Sequence, residues 1–144
     1  RSYGIPVVAT RIATSPQSAV LLSGEMGYPV ALKILSPDVT HKSDVGGVAL
    51  NLESSLAVLE AAQAMEARLR RLRPGARLTG FTVQPMAQRP GAHELIVGAA
   101  TDATFGPVIL FGQGGTAVEV IADRAVALPP LNVALAREVT SRTR

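Results

Sequence analysis

The sequence predicts an α+β fold: a small mixed or antiparallel sheet with helices, followed by the first strands of a second sheet. Three observations carry this. Residues 53–72 place apolar side chains at helical spacing over about five turns. Residues 29–35 and 47–52 are short apolar runs of strand type, joined by a polar loop longer than a tight hairpin requires. Residues 78–115 hold three more strand-like runs divided by turns that contain glycine and proline. A chain of 144 residues that is 47% hydrophobic can enclose one core, or one core and part of a second.

Each element has a local reason. In "YGIPVVAT", residues 3–10, Pro6 suits a strand start and Val7 and Val8 favour strand. Ser15 is a good N-cap and Pro16 fits a first helical turn, so a helix follows, with Ala19, Val20, Leu22 and Met26 as its stripe and Gly27 as its end. "PVALKIL", residues 29–35, reads as a strand with Lys33 projecting opposite Leu32 and Ile34. Residues 36–47 are the loop, and "GVALNL", residues 47–52, is the next strand. The long helix over 53–72 buries Leu56, Leu59, Ala62, Met65, Leu69 and Leu72 on one side and stops at Pro74 and Gly75. "LTGFTVQPM", "HELIVGAAT" and "PVILFGQGG" are strands, "AVEVI" at 117–121 is a candidate fourth, and "PLNVALAREVTSR" begins a helix.

Composition narrows the function. No cysteine is present, which excludes disulfides and thiolate metal sites and fits a reducing cytoplasm. No run approaches the roughly 18 apolar residues that would span a bilayer, and the first residues lack an apolar signal core, so the expectation is a soluble cytoplasmic protein without a membrane role. The densest basic run, residues 68–77, ends the long helix where cations suit the dipole. With aromatics at 3% and none interleaved there, nucleic acid is not expected as a partner.

The most informative stretch is "LKILSPDVTHKSDVGG", residues 32–47. It contains both lysines of the chain, Lys33 and Lys42, together with His41, Asp38, Asp44, Gly46 and Gly47. Glycines let backbone N–H groups approach phosphate oxygens and lysine supplies a mobile charge, so these are the parts of an anion cradle. They are equally the parts of a solvated polar turn. No Gly-Lys-Ser/Thr opens a helix, so this is not a P-loop. "VILFGQGGTA", residues 108–117, matches the loose dinucleotide fingerprint, but no acidic residue stands about 20 positions on. It reads better as a tight glycine turn approaching a nucleotide or another backbone. His93 and Glu94 lack the further ligands a metal site needs.

Taken together, "ALKILSPDVTHKSDVGGVALNL", "GFTVQPM", "HELIVGAATDATFGPVILFGQGGTAVEV" and "LPPLN" resemble the ATP-grasp domain of the NDP-forming acyl-CoA synthetases, a group that includes ADP-forming acetyl-CoA synthetase and fusions with an acetyltransferase domain. The resemblance covers nearly the whole chain from Tyr3 onward. It implies an incomplete ATP-grasp fold, with residues 1–83 as the first subdomain and 84–144 as the hinge and beginning of the second. The implied reaction converts an acyl-CoA, phosphate and ADP into the acid, CoA and ATP through an acyl phosphate and phosphohistidine. By the same resemblance His41 relays the phosphoryl group, and Lys33 grips the nucleotide phosphates with Lys42 beside it. Gln84 and Met86 face adenine, and Glu94 lies toward the ribose. Gly112, Gly114, Gly115 and Glu119 lie near the phosphate end. ATP or ADP is the implied ligand, and Mg²⁺ is implied with its ligands outside residues 1–144. CoA-binding and ligase domains, in the same parent or a partner subunit, are the implied partners.

Chemistry agrees with the transfer, because neutral imidazole is a competent nucleophile toward phosphorus and two lysines offset the charge that moves. Gly46 and Gly47 then predict a loop free to swing. Ala49 stands where the family often has a cation, which keeps a second reading open: a non-catalytic regulatory or assembly module of ATP-grasp type.

Overall fold

The computed structural model describes residues 4–87, 89–115 and 123–143. The chain divides into two compact units, Arg1–Gln88 and Arg89–Arg144.

The first unit is a four-stranded antiparallel sheet with two helices on one face. Its strands are β1 (Arg11–Ala13), β2 (Val30–Leu35), β3 (Val48–Leu52) and β4 (Gly80–Pro85), in the order β1-β4-β2-β3. Among the described residues, pairing begins at Arg11 rather than within residues 4–10. Ile5, Val7 and Val8 are exposed, whereas Ala13 is buried opposite Phe81. Gln84 and Pro85 are still paired, with Ala31 and Val30, so the first sheet runs past residue 83.

Helix α1 (Pro16–Met26) starts where its cap residues require. The Ser15 hydroxyl accepts the Ser18 N–H and the Ser18 hydroxyl accepts the Ser15 N–H, while Pro16 loses no bond in the first turn. Ala19 and Ser23 are its buried residues, with Val20, Leu22 and Met26 partly covered. Helix α2 (Ser55–Leu72) is capped by Ser54. Its buried stripe is Val58, Ala62, Met65 and Leu69, not the leucines at 56, 59 and 72. Spacings of four, three and four keep that set on one line, and Leu56 lies about 160° round the helix from Val58 and is exposed. These side chains close over Val30, Leu32, Ile34, Phe81 and Val83 of the sheet, all fully buried.

Gly80 begins β4 at φ +143°, a conformation that L side chains rarely adopt, and a Cβ there would collide with the Ala13 carbonyl oxygen. Gly80→Ala is therefore expected to destabilise the first unit by at least about 2 kcal/mol, because backbone strain and a backbone clash add. Thermal unfolding followed by circular dichroism measures it.

Among its described residues, the second unit holds a three-stranded antiparallel meander, β5 (Leu95–Asp102), β6 (Gly106–Gln113) and β7 (Arg124–Ala127), with helix α3 (Val133–Ser141) capped by Asn132. The β5–β6 turn is held by the Asp102 carboxylate, which accepts the N–H groups of Thr104 and Phe105 and is thereby held below the usual carboxylate range. Strand β7 has no counterpart among the predicted elements, since its four residues alternate too briefly to register. The "AVEVI" run lies outside the described residues, as does Glu119. No helix among the described residues is long and apolar enough to cross a membrane.

Candidate functional site

Lys33 lies in the middle of β2, directly opposite Thr82 on β4 and Val48 on β3. Strand alternation turns it away from Leu32 and Ile34, which are buried with the helices. Thr82, Ala31 and Gln84 share its face by register. The structure thus brings Lys33 and Gln84 together on the side of the sheet that α1 and α2 leave open. The Gln84 amide donates to the Thr10 hydroxyl at 2.7 Å, which orients it. Met86 follows β4, half-buried, with its N–H bonded to the Pro29 carbonyl.

Position 49 is on the other face. Ala49 pairs with Leu32 and packs against the core. The register between β2 and β3 shifts near Asn51, whose φ is +56°. A cation at this position would meet the helices, so its absence takes no charge from the face of Lys33.

The 36–47 loop is anchored at two points. Val39 and Val45 are buried in the core on either side of His41. A 3-10 turn, Ser43–Val45, ends at Gly46 with φ +59°, where a Cβ would strike the Arg68 guanidinium. A Cβ on Gly47 would lie 2.5 Å from Ile34 Cδ1, and the Gly47 carbonyl accepts the Ile34 N–H at 2.8 Å. Gly46 is therefore favoured by its positive φ, and Gly47 by its close packing on the buried Ile34 side chain. The Lys42 carbonyl accepts the Gly47 N–H, so Lys42 closes the same turn.

His41 is exposed at the loop's crest. With Asp38, Val39, Thr40, Asp44, Val45 and Arg73 it lines a hollow of about 270 Å³. Arg73 caps the end of α2. Asp38 does not add a free charge, because Arg77 donates to it three times: from the backbone N–H at 2.9 Å, Nε at 3.1 Å and Nη2 at 3.0 Å. Those bonds hold the Asp38 carboxyl down to about 2 and push Arg77 above its usual value. The folded pKa lies below the unfolded one, so the stability this contact contributes is complete above about pH 4 and is lost as pH falls toward 2. Asp38→Asn should therefore flatten the acid limb of a plot of urea midpoint against pH below 4 and leave its slope above pH 5 unchanged.

The second unit gathers a different set. The Gly114 N–H donates to the Glu94 carbonyl at 2.7 Å, and a Cβ on Gly114 would lie 2.8 Å from Glu94 Cγ. Gly115, at φ +91°, has Glu94 Oε2 beside it. Gly112 sits against the Asp123 carbonyl, where a Cβ would come within 2.7 Å. The glycine turn thus approaches its own chain at 112 and 114, and it presents the exposed Glu94 side chain at its rim. Sequence reasoning missed Arg73 and Arg77. Arg77 reaches a partner 39 positions away, a distance at which no local pattern gives a signal.

Among the described residues, no three His, Asp or Glu side chains are grouped to hold a metal ion. The donor set described here does not fit Mg²⁺.

A profile of the ATP-grasp domain matches residues 1–144. The chain is 40% identical over 129 residues to the beta subunit of acetate–CoA ligase (ADP-forming) I of Pyrococcus furiosus, covering 90% of this chain and 55% of that subunit. It is 44% identical over 141 residues to acetate–CoA ligase (ADP-forming) I of Archaeoglobus fulgidus, covering 96% of this chain and 20% of that protein. Among solved structures, the dinucleotide forming acetyl-coenzyme A synthetase 1 of Ca. Korarchaeum cryptofilum, in complex with coenzyme A, Ca-AMPCP and HgCl⁺, superposes with a TM-score of 0.87 at 43% identity, covering 99% of this chain and 62% of that one. The same synthetase with coenzyme A and Mg-AMPPCP, its phosphohistidine segment pointing towards the nucleotide binding site, superposes at 0.70 and 38% identity, over 99% of this chain and 59% of that one. The chain spans little more than half of the P. furiosus subunit and a fifth of the A. fulgidus ligase.

Proposed function

This chain belongs to the ATP-grasp domain family, and from that premise we propose that it is the nucleotide-binding part of an NDP-forming acyl-CoA synthetase. The observation that carries this is the likeness, at a TM-score of 0.87 over 99% of the chain, to a synthetase structure that holds Ca-AMPCP. The first compact unit corresponds to the first ATP-grasp subdomain together with the hinge strand that carries Gln84 and Met86, and the second to the beginning of the other. Lys33 meets the nucleotide phosphates, with Gln84 and Met86 toward adenine. By the same reading Glu94 is assigned to the ribose, and Gly112, Gly114 and Gly115 to the phosphate end of the nucleotide. Glu119 and Lys42 complete the set.

His41 relays the phosphoryl group. In the direction of ATP use, the lone pair of one imidazole nitrogen attacks the γ-phosphorus and the bond to the β-phosphate oxygen breaks. ADP leaves with that electron pair, and the second ring nitrogen keeps its proton. Lys42, next in sequence, offsets the charge on the incoming group, and Arg73 across the hollow supplies a second cation. The residues described above would not hold Mg²⁺, so a magnesium ion that screened the polyphosphate charge would need ligands from elsewhere. CoA-binding and ligase domains, in the same polypeptide or a partner subunit, complete the reaction.

The case for a non-catalytic assembly module rested on Ala49. The β2–β3 register places Ala49 on the covered face, so that case has no support on the open one. The test is an assay of the full-length protein with ATP, CoA and a panel of short carboxylic acids. Formation of ADP and acyl-CoA is expected, and nucleotide binding without turnover of any acid would favour the assembly module instead.

A further inference from the structure

The loop that carries His41 is joined to the rest of the first unit by a contact with unusual geometry for its exposure. Asp38 stands three residues before His41, and its N–H is turned onto the Ser36 hydroxyl. Both its carboxylate oxygens are engaged by Arg77, one by Nη2 and the other by Nε and the backbone N–H. Arg77 is itself fixed. Two residues on, Thr79 donates both its N–H and its hydroxyl to the Leu35 carbonyl, at the end of β2 where the loop departs. The α2–β4 connection and the His41 loop therefore leave the sheet side by side, with the Asp38–Arg77 contact as the crosslink between them.

Magnitude decides what such a contact is for. The Arg77 side chain is 73% exposed and that of Asp38 35%, and an exposed ion pair contributes little to stability. The apolar anchors Val39 and Val45 already attach the loop to the core. What the pair adds is orientation, since a planar fork on a carboxylate with a backbone donor beside it admits one arrangement. Orientation at that point bears on His41. Displacing a reacting group by about 1 Å costs on the order of a hundredfold in rate.

We propose that Asp38 and Arg77 are positioning residues for phosphoryl transfer, a crosslink that holds the His41 loop against the α2–β4 connection so that the imidazole stands where the phosphoryl group arrives. This rests on the reading of His41 as the relay. It assigns Arg77 a role exerted through Asp38.

The test uses the full-length protein carrying Arg77→Ala, Arg77→Lys, Asp38→Asn or Arg77→Ala with Asp38→Asn. Three quantities are read for each: the rate of His41 phosphorylation at saturating ATP, the nucleotide Kd, and Tm. Arg77→Ala and Asp38→Asn should each slow phosphorylation about tenfold or more, with Kd within about twofold of the parent and Tm within about 4 °C. The double variant should be no slower than the slower single one, because both remove the same contact. Arg77→Lys keeps the charge without the fork and should fall between Arg77→Ala and the parent. Unchanged rates in the single variants would overturn the proposal and leave the relay standing. Losses that multiply in the double variant, or that track an equal loss of nucleotide affinity, would also overturn it. If the parent itself takes no label on His41, the relay reading fails, and the positioning role falls with it.

Discussion

His41→Ala is expected to abolish phosphoryl labelling of the full-length protein on the peptide that contains residue 41, and with it the conversion of acid and CoA to acyl-CoA. The reason is covalent. Alanine offers no nucleophile, and the neighbours of His41 are Thr40, Lys42 and Ser43, none of which replaces an imidazole at neutral pH. The adduct formed by the parent should be stable in base and labile in acid, as a phosphorus–nitrogen bond requires. Incubation with γ-labelled ATP and magnesium, followed by mass analysis under alkaline conditions, reads it directly. Folding is not at risk, since His41 is exposed and the buried anchors Val39 and Val45 remain. Label on another residue at the parent's level in His41→Ala would sink the relay.

Lys33→Ala should weaken ATP and ADP binding by about 10- to 100-fold, the effect of removing one charge-assisted contact to a phosphate, at about 1.5–3 kcal/mol. Lys33 is opposite Thr82 and Val48 on the open face of the sheet, and its aliphatic stem is half-buried there. Truncation leaves Leu32 and Ile34 undisturbed on the covered face, so Tm should move by only a few degrees. Calorimetric titration with a non-hydrolysable ATP analogue separates the two effects. An unchanged Kd would make Lys33 a solvated strand residue. The pair of variants also separates binding from chemistry: Lys33→Ala should act on Kd, and His41→Ala on transfer alone.

Local physics was legible in the chain. The cap at Ser15, the proline at 16, the stop at Gly27 and the span of the long helix follow from bonds made within four residues, so the sequence alone determined them. It also determined the family, because the lysine, histidine and glycine spacing of residues 33–47 persists in the primary structure whatever the fold does with it. The tertiary structure decided everything that depends on a partner distant in sequence. The helix stripe runs through Val58 rather than Leu56, because only the sheet defines which side is inside. Ala49 turned out to face the core through a register shift at Asn51, and a one-residue shift exchanges the faces of a strand. Gly46, read as a source of movement, stands at a positive φ that a side chain would strain, and Gly47 stands where the buried Ile34 occupies the space a side chain would need. The pairing of Asp38 with Arg77 joins a loop to a connection 39 residues on, and only the return of the chain along β4 brings them within 3.1 Å.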